Sequence, residues 1–82
     1  MKVWTFHPSG VLDVQDRIGG LVSHLINGPR EAVFAHVGRV GERYPDARIV
    51  HCYGQGTKIE VVLHREHTRA VGTPLAEPLA VA

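Results

Sequence analysis

The N-terminal residues show a pattern that predicts a β-strand. Residues 2–6, with the sequence KVWTF, are rich in β-branched and aromatic side chains, which strands favour. Residues 11–14 can pair with them as the return strand of a hairpin, because Pro8 and Gly10 occupy positions that a type I turn prefers. This segment therefore predicts an N-terminal strand or hairpin.

A helix competes with that return strand. From Val11 to Ile26 apolar residues recur at spacings of three and four, as they do on one face of a helix. Gly19 and Gly20 oppose this interpretation, because each glycine costs a helix about 1 kcal/mol relative to alanine. We nevertheless predict a helix over about 12–26.

A helix is also predicted over residues 30–44. Pro29 suits the first turn of this helix, and Pro45 ends it. The stripe expected to face the core consists of Val33, Phe34, Val37, Val40, Gly41 and Tyr44. The chain thus has one or two helices, depending on residues 12–26.

A C-terminal antiparallel hairpin is predicted over about 47–64. Two β-rich segments flank residues 54–56 (GQG), and the second segment alternates between apolar and polar residues. Its apolar face should pack against the helix over 30–44. A three-residue loop, which we prefer, buries His51 and turns Cys52 outward, whereas a two-residue loop does the reverse.

These elements add up to a small single-domain α+β fold. The apolar pattern ends near residue 67, and residues 68–82 contain two prolines without a helix or strand pattern. We therefore expect a compact α+β domain over 1–67 and a tail over 68–82 that is either flexible or docked on a partner. A small core and unpaired sheet edges favour a homodimer or another protein complex.

Composition and charge exclude several classes of function. The 82 residues carry a net charge of +1 and are 44% hydrophobic, which is neither the basic balance of a nucleic-acid-binding protein nor the composition of a disordered chain. No apolar run approaches the ~20 residues of a membrane span, and the N-terminus lacks a signal-peptide pattern. The single cysteine allows no internal disulfide. We expect a cytoplasmic protein that binds no membrane and is a poor candidate for binding nucleic acid.

Histidine is the residue type present in excess, with six copies. The candidate metal ligands are His51, His64 and His67, but their spacing falls short of a zinc motif. His24 and His36 lie at the edges of predicted apolar faces, where an imidazole usually spans core and water. No nucleophile or cofactor motif accompanies them, so the sequence predicts no catalytic residue, no cofactor and no metal site, and it leans against an enzyme.

Three aromatic residues, Trp4, Phe6 and Tyr53, are the candidate interface residues. Core packing is the first expectation for Trp4 and Phe6, and any of the three that stays exposed would anchor a protein partner. The leading hypothesis is a small non-enzymatic binding or modulator protein that acts through protein–protein contact, such as a bacterial or phage accessory protein or inhibitor. The alternatives are a small metal- or histidine-dependent enzyme or metal carrier and, third, a nucleic-acid-binding module.

Overall fold

One helix lies against one face of an antiparallel sheet. The computed structural model describes residues 2–66 and 80–81. Their elements, in chain order, are β1 (Lys2–Phe6), β2 (Leu12–Ile18), β3 (Leu21–Pro29), α1 (Arg30–Arg43), β4 (Arg48–Gln55), β5 (Lys58–Glu66) and β6 (Ala80–Val81). These strands form a single sheet in the order β4-β5-β3-β2-β1-β6. The arrangement confirms the predicted α+β fold class.

A hairpin replaces the predicted helix over about 12–26, and that prediction was wrong. β2 pairs antiparallel along its whole length with residues 21–27 of β3, and a two-residue loop, Gly19-Gly20, joins the two strands. Gly19 has a φ of +62°, the positive value that a type II′ turn needs at its first central position. The other alternative, pairing of β1 with a return strand, is the one that forms. Apolar side chains project from both faces of β2 and β3. Their combined spacing along the chain therefore resembles that of apolar residues on one face of a helix.

α1 matches the predicted helix over 30–44. It follows Pro29, which is the N-cap with a φ of −59°. The buried residues of the helix are Val33, His36 and Val40. Phe34, which was expected on the same stripe, is 50% exposed. The main apolar cluster consists of Val11, Ile26, Val33, Ile59 and Val61, with Ala32 and Val37 packed against it. α1 therefore packs on the apolar face of β5, as predicted.

The C-terminal hairpin is present, but the preferred three-residue loop was wrong. Gln55 pairs with Lys58, which leaves two residues in the loop. The first of them, Gly56, has a φ of +60°, and this single positive φ is sufficient to close a type II′ turn. The resulting register turns His51 away from α1 and places Cys52 on the helix-facing side. His51 is therefore not buried.

β4 is an edge strand. All of its residues are exposed, including Cys52. Its register against β5 shifts between Ile49 and His51, so Val50 forms a β-bulge. A bulge twists an edge strand and opposes its pairing with a strand of another chain.

β6 forms the opposite edge, where it pairs with Thr5 and Phe6 of β1. The rest of the predicted tail over 68–82 lies outside the described residues. No helix in the described part of the chain is long and apolar enough to cross a lipid bilayer.

Position 19 requires glycine for its backbone conformation and not for space. Gly19→Ala should lower the free energy of unfolding by roughly 1 kcal/mol, because alanine resists a positive φ. Gly20→Ala is the matched control, since its φ is not positive and an added Cβ meets nothing within 4 Å at either position. Urea denaturation followed by circular dichroism measures both variants. Equal losses of unfolding free energy in Gly19→Ala and Gly20→Ala would contradict the type II′ turn.

Candidate functional site

A buried polar cluster lies between the sheet and the helix, centred on Asp13. Asp13 faces α1 from β2, and the strand register places His24 of β3 diagonally beside it. His36 reaches the same carboxylate from the buried side of α1. The side chains of all three residues are at most 2% exposed.

The carboxylate of Asp13 accepts hydrogen bonds from both histidines. Nδ1–H of His24 lies 3.1 Å from each carboxylate oxygen, and Nε2–H of His36 lies 2.7 Å from Oδ2. Nε–H of Arg65 donates to Nε2 of His24 over 2.9 Å. Since that nitrogen must be an acceptor, the His24 ring carries its proton on Nδ1.

Arg65 extends the cluster from β5 toward the end of the helix. Its guanidinium carbon lies 3.6 Å from the centre of the Tyr44 ring, a stacked contact that arginine favours. Its Nη1–H donates to the carbonyl oxygen of Glu66 over 3.3 Å, and the backbone N–H of Glu66 donates to Oδ2 of Asp46 over 2.6 Å. Burial lowers the pKa of Arg65, although an arginine in a protein remains charged.

Asp13 stays ionised despite its burial. Burial alone would raise its pKa, but the hydrogen bonds from His24 and His36 lower it to about 2. The buried charge is tolerated because both oxygens have donors. A carboxylate in this position fixes the orientation of two imidazoles, which is the role that carboxylates have beside metal-binding and catalytic histidines.

One nitrogen of His36 has no partner. Because Nε2 carries the proton donated to Asp13, Nδ1 offers a lone pair, and this buried atom makes no hydrogen bond. An unpaired buried polar atom costs about 1–3 kcal/mol. The ring of His7 lies beside the His36 ring, with the two ring centres 4.6 Å apart and the planes tilted by 54°.

His7 completes a group of three metal-ligand side chains. His7, Asp13 and His36 each offer one ligand atom, and these atoms lie within 4.8 Å of one another. No other group of three such residues occurs in residues 2–66. Burial lowers the pKa of His7 and the neighbouring His36 lowers it further, against an opposing effect of Asp13. The lowered pKa favours the uncharged His7 ring, which is the form that binds a metal ion.

The histidines proposed from the sequence as metal ligands lie elsewhere. His51 and His64 project from the sheet face opposite α1. Nε2 of His51 lies 3.8 Å from a carboxylate oxygen of Glu60, and both side chains are about half exposed. His67 lies outside the described residues. The structure therefore does not bring His51 and His64 to the cluster around Asp13.

Sequence reasoning missed this cluster. His24 and His36 were expected at the boundary between core and water, but each is 1% exposed, because Asp13 supplies an acceptor inside the core. Asp13 itself was not singled out. The available signal was a carboxylate within the apolar segment 11–14, where a buried charge requires donors around it.

The three candidate interface aromatics are all exposed. Trp4 is 42%, Phe6 45% and Tyr53 58% exposed, so the expectation of core packing for Trp4 and Phe6 was wrong. Strand alternation turns Thr5 toward α1 and its two neighbours away from it. We refer to the sheet face opposite α1 as the open face. Its apolar residues include Trp4, Phe6, Leu12, Val14, Leu25 and Val62.

Asp13 should make the stability of the protein depend on acid pH. Its pKa of about 2 lies below the ordinary value of 3.8. The charged form therefore contributes roughly 2 kcal/mol that is present above about pH 4 and is lost as the pH falls toward 2. Urea denaturation at a series of pH values measures this loss.

Asp13→Asn should remove that acid dependence and lower the free energy of unfolding at neutral pH by about 1–3 kcal/mol, because the amide replaces one acceptor oxygen with an NH₂ donor and removes the charge that strengthens both hydrogen bonds. Glu42→Gln, which changes an exposed carboxylate on α1, is the control and should leave stability unchanged. An acid dependence that is the same in Asp13→Asn as in the unsubstituted protein would contradict the assigned role of this carboxylate.

Comparison with known proteins identifies no relative of this chain. No protein-family model matches it, and no curated protein or solved structure matches it either. The function has to be inferred from the geometry of the open face and of the cluster around Asp13.

Proposed function

We propose that this chain is a small non-enzymatic binding protein that acts through protein–protein contact, and that its open face binds a second copy of the chain. The observation that carries the proposal is the orientation of side chains in β1 and β2. The polar residues Thr5 and Asp13 are buried on the helix-facing side, whereas Trp4 and Phe6 project from the open face. This orientation is the opposite of the usual one, in which the outer face of a sheet is polar.

An apolar row crosses the open face from strand to strand. Trp4 pairs with Val14, Val14 with Leu25, and Leu25 with Val62. Val14, in the middle of this row, is 7% exposed, whereas Trp4 at its end is 42% exposed. Among the described residues no helix or strand packs on this row, because all strands belong to one sheet and α1 lies on its other face. Large aromatic side chains beside an apolar patch are typical anchors of protein interfaces.

The size of the open face is sufficient for a dimer. Five strands about 4.8 Å apart, with about seven residues of ~3.3 Å each, give a face of roughly 550 Å². Two such faces bury about 1,100 Å² in total, near the lower end of specific interfaces. Sheets that pack face to face lie ~10 Å apart, as in a β-sandwich.

A second copy of the chain suits this face for two reasons. The net charge of +1 gives two copies little mutual repulsion. Two-fold symmetry brings the same apolar row of each copy against the other, the arrangement found in most homodimers. Strand pairing between two copies of β4 is less favourable, because the bulge at Val50 interrupts that edge.

The intrinsic fluorescence of the protein reports directly on the open face, because Trp4 is its only tryptophan. At roughly 100 µM protein, the mass by light scattering should be twice the 9.0 kDa of the monomer. The emission of Trp4 should be blue-shifted in the dimer, and dilution should reverse both signals. Phe6→Glu should raise the dissociation constant about 30-fold or more, because it places a charge inside an apolar interface.

Phe34→Glu is the matched control for Phe6→Glu. The two phenylalanines are similarly exposed, at 50% and 45%, but Phe34 lies on α1 and should not affect the dimer. Circular dichroism establishes that both variants are folded. The proposal is overturned if the unsubstituted protein remains a 9.0 kDa monomer, which would direct the search to a different partner protein. It is also overturned if the two substitutions weaken the dimer equally.

A further inference from the structure

The second feature of the molecule that points to a ligand is the group formed by His7, Asp13 and His36. The three side chains come from three separate segments: the turn after β1, strand β2 and helix α1. Their ligand atoms lie within 4.8 Å of one another. Around a zinc ion the ligand atoms lie about 3.3 Å apart, so the most distant pair has to approach by no more than about 1.5 Å.

The hydrogen bond between Asp13 and His36 already brings two of the ligand atoms close together. Nε2 of His36 and Oδ2 of Asp13 are 2.7 Å apart. An ion that replaces the shared proton would separate these atoms by about half an ångström. The Asp13 carboxylate is already ionised and positioned to accept an ion in place of that proton.

The unpartnered nitrogen of His36 distinguishes this residue from His24. His24 has hydrogen-bond partners at both ring nitrogens, Asp13 at one and Arg65 at the other. His36 has a partner at Nε2 alone, since Nδ1 makes no hydrogen bond. Its proton can therefore move to Nδ1 without breaking a bond there, which leaves Nε2 with a lone pair for an ion.

His24 supplies the outer support that a metal site of this kind requires. Its Nδ1–H donates to both oxygens of Asp13, and Arg65 holds the ring from the other side. Carboxylate ligands of metal ions are commonly oriented by such hydrogen bonds. The side of the group nearest solvent is that of His7, which is partly exposed, whereas Asp13 and His36 are buried.

We propose that His7, Asp13 and His36 form a binding site for a divalent transition-metal ion, with Zn²⁺ as the best-suited ion. Two imidazole nitrogens and one carboxylate oxygen are a donor set that borderline ions such as Zn²⁺ prefer, whereas Mg²⁺ and Ca²⁺ prefer oxygen ligands alone. Three protein ligands leave a fourth position for water or an external ligand. Solvent reaches that position from the side of His7.

The experiment uses the untagged full chain with Zn²⁺ in isothermal titration calorimetry and Co²⁺ as the spectroscopic probe. We expect one ion per chain and visible Co²⁺ absorption bands that Zn²⁺ displaces. His7→Ala should weaken Zn²⁺ binding at least tenfold and abolish the Co²⁺ bands. This variant is chosen because His7 is partly exposed and lies in the turn after β1, and circular dichroism verifies that it is folded.

The double variant His51→Ala/His64→Ala is the matched control, since it removes two histidines from the open face and should bind Zn²⁺ as the unsubstituted protein does. The nitrogen chemical shifts of the histidine rings provide a readout that needs no substitution. Zn²⁺ should change the shifts of His7 and His36, whereas the shifts of His51 and His64 should stay unchanged. The absence of binding at roughly 100 µM Zn²⁺ overturns the proposal. Binding that survives in His7→Ala, or that depends on His51 and His64, overturns it as well.

Discussion

The buried carboxylate of Asp13 is the interaction on which the rest of the structure depends. An ionised group between a sheet and a helix costs several kcal/mol unless donors surround it, and here the donors come from His24 on β3 and His36 on α1. Both hydrogen bonds form only when the register of β2 against β3 and the rotation of α1 are correct. A slip of one residue would turn Asp13 and His24 to opposite faces of the sheet. The buried charge of Asp13 therefore destabilises the alternative registers of β2 against β3 and stabilises the observed one.

The same constraint gives the two faces of the sheet their unusual character. With Thr5 and Asp13 directed toward α1, the alternation of a strand directs Trp4 and Val14 to the other face. Hydrogen bonds thus take the place of part of the apolar core, and Trp4 remains 42% exposed on the open face. A chain of this size has little apolar area to spare. The exposed apolar side chains on this face are the basis of the proposed contact with a second copy of the chain.

The parts of the fold that the sequence predicted are those whose signals are local. Pro29 and Pro45 bound α1, and the β-rich segments on either side of Gly56 predict the second hairpin. Prediction failed over 12–26, because apolar residues on the two faces of a hairpin recur at helical spacing. Local sequence patterns could not predict the cluster around Asp13. Its hydrogen bonds join residues that are 11, 23 and 41 positions apart, and strand pairing and helix packing bring them together.

The two proposed sites depend on the same strand from opposite sides. Phe6, the last residue of β1, projects to the open face, and His7, the next residue, lies against His36 on the helix-facing side. Neither site exists unless β1 is paired with β2, because that pairing positions both residues. A ligand that binds only the native arrangement raises its population. A partner on the open face and an ion at His7 therefore both favour pairing of β1. Each would strengthen binding at the other site only by the fraction of unpaired β1 that it removes, and this coupling is reciprocal.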